Sequence, residues 1–183
     1  MEEKTKGLLV EALMDLTAEG GWETVTVSTL CRRAEVHRST FYAHFEDKED
    51  LFSRSLPWFF DSLAVAGADP QTAGSPFQGL FRHCDHRRLF YRKALENGRF
   101  RSLFCQYLIH HAQGALGESG PAPIAVWFGA GAILGVVEGF VNTSFPGTPD
   151  EIAAQLAEML HKAIPGQAEG DAPRQRWPQA SES

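Results

Sequence analysis

His37, Arg38, Ser39 and Thr40 place an imidazole, a guanidinium and two hydroxyls in four consecutive positions, and Tyr42 and His44 follow closely. Side chains of these types hydrogen-bond to base edges and to phosphate oxygens. A guanidinium at Arg38 can grip guanine O6 and N7 with two N–H donors at once, a contact that discriminates between bases by about 1 to 3 kcal/mol. Other reactive types are more scattered. The run His83-Cys84-Asp85-His86 and the pair His110-His111 carry metal-ligand atoms, but no paired motif sets a coordination geometry, and ordinary surface or part-buried histidines are the simpler account. Cys31, Cys84 and Cys105 are odd in number and form no Cys-x-x-Cys pair, so they read as small apolar residues and not as a disulfide or zinc framework. No nucleophile, base and oxyanion set is present, and no phosphate-cradling glycine loop. The expectation is a protein with no catalytic residue, no metal and no cofactor.

The elements that must position the 37–44 run are helical. Leu9, Ala12, Leu13 and Leu16 repeat at helical spacing, and Gly20-Gly21 supplies a stop, which predicts a helix over about residues 4 to 19 with Trp22 plugging the following turn. Val27, Leu30, Cys31 and Ala34 fall on one face of a two-turn helix with Thr26 as its N-cap. Only Glu35, Val36 and His37 separate it from a second run through Phe41, Tyr42 and Phe45, so two short helices meet at a tight turn. Asp47, with Asp50 three residues on, caps a further helix carrying Phe52, Leu56, Phe59 and Leu63, and Pro57 inside it predicts a kink near Leu56. Phe41 and Phe45 are expected in the core, while Tyr42 can turn its hydroxyl outward.

Total charge argues against a polyanionic partner, since the 183 residues carry a formal net charge of −6. Its distribution reverses that. Between Val27 and Phe45, Arg32, Arg33 and Arg38 face Glu35 alone, and the acidic residues cluster on either side. Local charge, not the sum, sets the footprint that phosphates meet.

The stretch from Thr26 to Phe52, centred on Thr40-Phe41-Tyr42-Ala43-His44-Phe45-Glu46-Asp47-Lys48, resembles the DNA-binding signature of the tetracycline-repressor (TetR) family. The resemblance covers about residues 5 to 60. It implies that Thr26, Ser28, Thr40, Tyr42, His44 and Lys48 hold phosphates, that Arg38 and Ser39 read bases with His37 beside them, and that the second short helix lies in the major groove. Two residues depart from the family pattern: Glu35 stands where glycine is usual and Cys31 where alanine is usual. Near a phosphate, Glu35 would weaken binding. The 83–95 segment and the Thr148-Pro149-Asp150-Glu151-Ile152 run more faintly resemble a subgroup related to the activator of dihydroxyacetone-kinase genes.

Beyond a Gly- and Pro-rich connector at 66–76, helices are predicted over 77–84, 89–95, 100–116, 122–145 and 150–163. No stretch alternates with period two. The expected fold is therefore all-α: a three-helix DNA-binding domain (1–60) joined by a connecting helix to a helical effector-binding and dimerisation domain (61–164), with a Gly-, Pro- and Ser-containing tail (165–183) expected to be disordered. Apolar residues run only from Ile124 to Val137 before Glu138, too short to span a bilayer, which needs about 20. The N-terminus lacks a basic start followed by an apolar run, and a reducing cytoplasm suits the free thiols. Gly131, Gly135 and Gly139 at four-residue spacing, with Leu156 and Leu160 on the last helix, suggest an isologous dimer interface. Such a dimer would set two recognition helices about 34 to 36 Å apart on a palindromic operator in double-stranded DNA. Trp58, Phe81, Phe104, Tyr107 and Trp127 are the candidate walls of a small-molecule effector pocket, through which such a regulator is commonly released from DNA. The competing reading is a helical coregulator that reaches its target through a protein partner.

Overall fold

The computed structural model describes residues 3–65, 77–116, 123–142 and 145–163, with side chains described throughout except at 3, 57–65 and 111–116. The connector and the tail expected from composition lie outside these residues. Every regular element among them is helical: α1 (Glu3–Gly20), a 3-10 turn (Trp22–Thr24), α2 (Val27–Arg33), α3 (Arg38–Tyr42), α4 (Lys48–Val65), α5 (Gln78–His86), α6 (Arg88–Leu95), α7 (Gly98–Leu116), α8 (Pro123–Val141) and α9 (Pro149–Ala163).

Helix α1 buries Leu9, Val10, Ala12, Leu13 and Met14. It stops where Gly21 takes φ +86, a left-handed conformation open to glycine without a Cβ penalty. The chain turns there and drops Trp22 into the core, with its ring edge-on to Phe100 at 5.0 Å and to Phe52 at 5.7 Å. One indole thereby joins the amino-terminal helices to α4 and α7. Helix α4 opens as expected: Asp47 Oδ1 accepts from the Asp50 amide at 2.8 Å, and Asp50 Oδ2 accepts from the Glu46 amide at 3.1 Å. It continues as helix through Pro57 to Val65, so the proline does not end it.

The remaining helices pack around an aromatic core, α1 on α6, α4 on α5 and α7, α5 on α9, and α7 on α8. Phe81, Phe90, Tyr91, Phe100, Phe104 and Phe140 are all buried and in ring contact with one another or with Phe52. Buried side chains from α1 through α9 form one connected cluster, so the boundary expected at residue 60 falls within α4 and not between two cores. Polar links trim the seam: Arg87 pairs with Glu11 and, at 3.5 Å, with Asp15, Arg99 pairs with Glu49 at 3.3 Å, and Asn97 donates to Glu23. Exposed pairs of this kind contribute about 0 to 1 kcal/mol each, so the aromatic packing carries the junction.

At 19 residues, α8 is shorter than the helix expected over 122–145 but extends past the 14-residue apolar run, and by length and composition alone it could cross a membrane. Its packing argues otherwise. Val126, Ala130, Ile133, Val137, Phe140 and Val141 are buried, α8 packs on α6 and α7, and Glu138 in the same helix pairs with Arg101 at 2.9 Å.

Candidate nucleic-acid interface

Thr26 begins α2 with a reciprocal cap: its hydroxyl accepts from the Thr29 amide at 3.2 Å, and the Thr29 hydroxyl accepts from the Thr26 amide at 3.0 Å. Two otherwise orphaned donors are satisfied, which starts a seven-residue helix sharply. At the other end the Val36 amide reaches back to the Cys31 carbonyl at 2.9 Å, the six-to-one bond of a Schellman stop. That stop requires a left-handed residue at position 35. Glu35 supplies it at φ +55, among the described residues the one non-glycine with positive φ. The departure from the family pattern at this position is therefore a side chain forced into a glycine conformation. Cys31 is buried beneath the turn, and burial pushes its thiol up against the opposing charge of Arg38, so it stays protonated as a small core residue.

Helix α3 follows, five residues long, held from below by Phe41 and Phe45, which are buried with ring centroids 5.6 Å apart. Its outward side carries the chemistry expected of it. His37, Arg38, Ser39, Tyr42 and His44 are exposed and Thr40 is half-buried; Tyr42 stands edge-on to Phe41 with half its surface open. His37 is the N-cap but makes no side-chain cap bond, and His44 lies past the helix end in the turn before α4. Thr26 and Ser28, also exposed, open α2. Between the two helices is an open depression of about 350 Å³ lined by Ser28, Cys31, Arg32, Glu35, Val36, His37 and Arg38.

The local charge count needs correcting. Arg33 forms a two-pronged pair with Glu19 of α1, at 2.9 and 2.8 Å, so its charge is offset within the protein. Arg32 and Arg38 have no acidic partner among the described residues and remain for an outside anion. Sequence spacing gave no sign of the Arg33–Glu19 pair, because Glu19 is 14 residues away and faces α2 only after α1 has turned at Gly21.

Lys48, expected to hold a phosphate, is turned inward. Its ammonium donates to the Trp22 carbonyl at 2.7 Å and to the Val25 carbonyl at 2.9 Å, and it lies 5.1 Å from the Trp22 ring centroid. Two of its three N–H donors are thus engaged within the protein.

The other candidate sites are rearranged more strongly. Phe81 and Phe104 are fully buried, Phe81 edge-on to Phe140 at 5.6 Å and Phe104 against Tyr91 at 6.0 Å, so each of these expected walls is packed into the core against another ring. Tyr107 is half-buried against the same core, and the Trp58 side chain lies outside the described residues. Trp127 does not line a pocket, since 61% of it is exposed on the outer face of α8. The expected dimer surface also divides. A β-carbon added at Gly131 or Gly135 would meet nothing within 4 Å, whereas one at Gly139 would overlap the ring of Phe145, so Gly139 is filled by its own chain. Leu156 is buried inside the subunit, on the helix that packs against α5, and Leu160 is partly buried against the same core. What α8 turns outward is Ile124, Trp127, Phe128, Gly131 and Gly135, one face at helical spacing. Ile124 and Phe128 escaped sequence reading because α8 is apolar on every side, so no periodicity marks which side faces out.

His83 is buried with Tyr91, its Nδ1 2.9 Å from the phenol oxygen, and burial first, then the charges of Arg87 and His86, pull its pKa down to about 4. Cys84 is buried beside it while Asp85 and His86 are exposed, so the 83–86 run does not converge on one point. Among the described residues no three His, Cys, Asp or Glu side chains come together as a metal site.

Capped helix, tight turn and outward polar helix over aromatic anchors define a helix-turn-helix DNA-binding domain. Residues 9–54 match the family described as "Bacterial regulatory proteins, tetR family". Among curated proteins the chain is similar to the HTH-type dhaKLM operon transcriptional activator DhaS of Lactococcus lactis subsp. lactis (strain IL1403), 27% identical over 89 residues, which is 49% of this chain and 48% of that protein. It is also similar to the uncharacterized HTH-type transcriptional regulator YuxN of Bacillus subtilis (strain 168), 25% identical over 103 residues, 56% of this chain and 34% of that one. The chain thus spans about half or less of the curated relatives it matches. Among solved structures the fold is shared with the dihydroxyacetone kinase operon activator DhaS, at TM-score 0.57 and 19% identity over 87% of this chain and 96% of that one. It is shared too with the regulator FadR from Bacillus subtilis in complex with stearoyl-CoA, at TM-score 0.53 and 18% identity over 86% and 98% of the two chains.

Proposed function

We propose that the chain is a cytoplasmic, sequence-specific DNA-binding transcription regulator that acts as a homodimer on a palindromic operator. The observation that carries this reading is the outer face of α3, where Arg38 is exposed without an acidic partner among the described residues and Ser39, Tyr42 and His37 surround it. Arg38 and Ser39 read base edges, while Thr26, Ser28, Thr40, Tyr42 and His44 fix the register on phosphates. The outward apolar face of α8 supports self-association: Ile124, Trp127 and Phe128 are 78%, 61% and 56% exposed, and Gly131 and Gly135 leave room for a helix to approach closely. Release from DNA by a small-molecule effector at these walls requires Phe81 and Phe104 to move off their ring partners Phe140 and Tyr91, and repression relieved in this way is the form of regulation we favour.

The test is selection of DNA fragments from a random pool, then titration of the selected site at several salt concentrations. Arg38→Ala should lower specific affinity about 10- to 100-fold, the loss of a bidentate base contact, and leave nonspecific affinity nearly unchanged. Indifference to that substitution would remove Arg38 as a base reader. If no fragment is bound more tightly than the nonspecific level of about 10⁻⁴ to 10⁻⁶ M, the DNA reading gives way to a coregulator working through a protein partner.

A further inference from the structure

Lys48 is the first residue of α4, where the positive end of the helix dipole disfavours a cation. The sequence places it there regardless, among Asp47, Glu49 and Asp50, and the structure shows what it does. Its ammonium reaches back 26 and 23 residues to the carbonyls of Trp22 and Val25, at 2.7 and 2.9 Å, beside the face of the Trp22 ring. Trp22 O also accepts from the Val25 amide at 3.3 Å, and Val25 immediately precedes Thr26, the cap of α2. Everything between these points, α2, the Glu35 turn and α3, is a loop whose two ends meet at one ammonium. Bonds from a charged donor to carbonyl oxygens are stronger than neutral ones, and here two act on the same short stretch of backbone.

We propose that Lys48 is a positioning residue for DNA binding: it pins the start of α2 to the start of α4, so that Thr26, Ser28 and the face of α3 are held in one fixed arrangement, and it does not spend its charge on a phosphate. This rests on the DNA-binding reading above. A phosphate ligand and an internal clamp differ in two observables, the salt dependence of binding and the accessibility of the free ammonium.

The experiment measures affinity for the selected fragment with wild type, Lys48→Met, Thr26→Ala and the double variant, well below their melting temperatures. Lys48→Met keeps the aliphatic stem and should lower affinity about tenfold, as expected for lost charge-assisted bonds. The slope of log affinity against log salt should stay the same, whereas loss of a phosphate contact would flatten it by about 0.9. The effect of Thr26→Ala should shrink in the Lys48→Met background, because both act through the start of α2. A flattened slope, fully additive losses, or a lower melting temperature with unchanged affinity would each overturn the proposal. Should Lys48→Met not fold, acylation of wild-type protein decides: a clamped ammonium is protected with and without DNA, and one that reacts freely until DNA is added is a phosphate ligand. Absence of any selected fragment would instead sink the DNA reading, while the acylation result would still report on the clamp.

Discussion

The helix-turn-helix and the helices behind it expose different chemistry over a shared apolar core. In α2, α3 and the turn that follows, the apolar groups, Leu30, Cys31, Phe41 and Phe45, are inside and the polar ones, Arg32, Arg38, Ser39 and Tyr42, are outside. In the body, the polar pair His83–Tyr91 lies inside the aromatic core, and Ile124, Trp127 and Phe128 of α8 are outside while Phe140 of the same helix is buried. An exposed array of donors is stable alone in water and can be used on any acceptor-rich partner. An exposed Ile124, Trp127 and Phe128 face gains only by being covered, and a buried imidazole and phenol are tolerable only while they are hydrogen-bonded. The two regions therefore answer to different tests.

The largest expected effect lies in the buried pair. His83 has a folded pKa of about 4 against 6.5 when exposed, so the unfolded chain binds the extra proton between those values. Stability is full above pH 6.5 and falls as pH drops toward about 4, by on the order of 3 kcal/mol over the window. Urea denaturation of wild type and His83→Phe across that range should show this slope in wild type alone; equal slopes would mean that the imidazole is not buried neutral.

Next comes the outer face of α8. Trp127→Glu should leave the melting of the isolated subunit nearly unchanged, since the ring is 61% exposed, but should weaken self-association by about 2 kcal/mol or more, the loss of an aromatic anchor. Sedimentation across a concentration series would read it. A variant that stays as dimeric as wild type would show that this face is not the interface and that the apolar face of α8 is left uncovered.

The smallest effect sharpens the amino-terminal side. Glu35→Gly removes a side chain held at φ +55 and should stabilise the domain by up to about 1 kcal/mol, an upper value because glycine also frees the unfolded chain. Losing the carboxylate next to the Arg38 depression should also raise DNA affinity a few-fold at low salt and less at high salt, where screening is stronger. Affinity that falls on this change would assign Glu35 a direct part in binding.

Residue order alone carried the amino-terminal site a long way. The Thr26 cap, the short helix pair, the buried Phe41 and Phe45 and the Asp47 start of α4 are local features, each set by neighbours within about five residues, and they occur where spacing predicted them. What sequence could not hold is any property created by distant segments meeting. Arg33 loses its free charge to Glu19, and Lys48 turns to carbonyls more than 20 residues back. The outward side of α8 is the clearest case. A helix apolar all round contains no periodic mark of its own, so only its packing on α6 and α7, with Ala130, Ile133 and Val137 in the core, decides that Trp127 faces out.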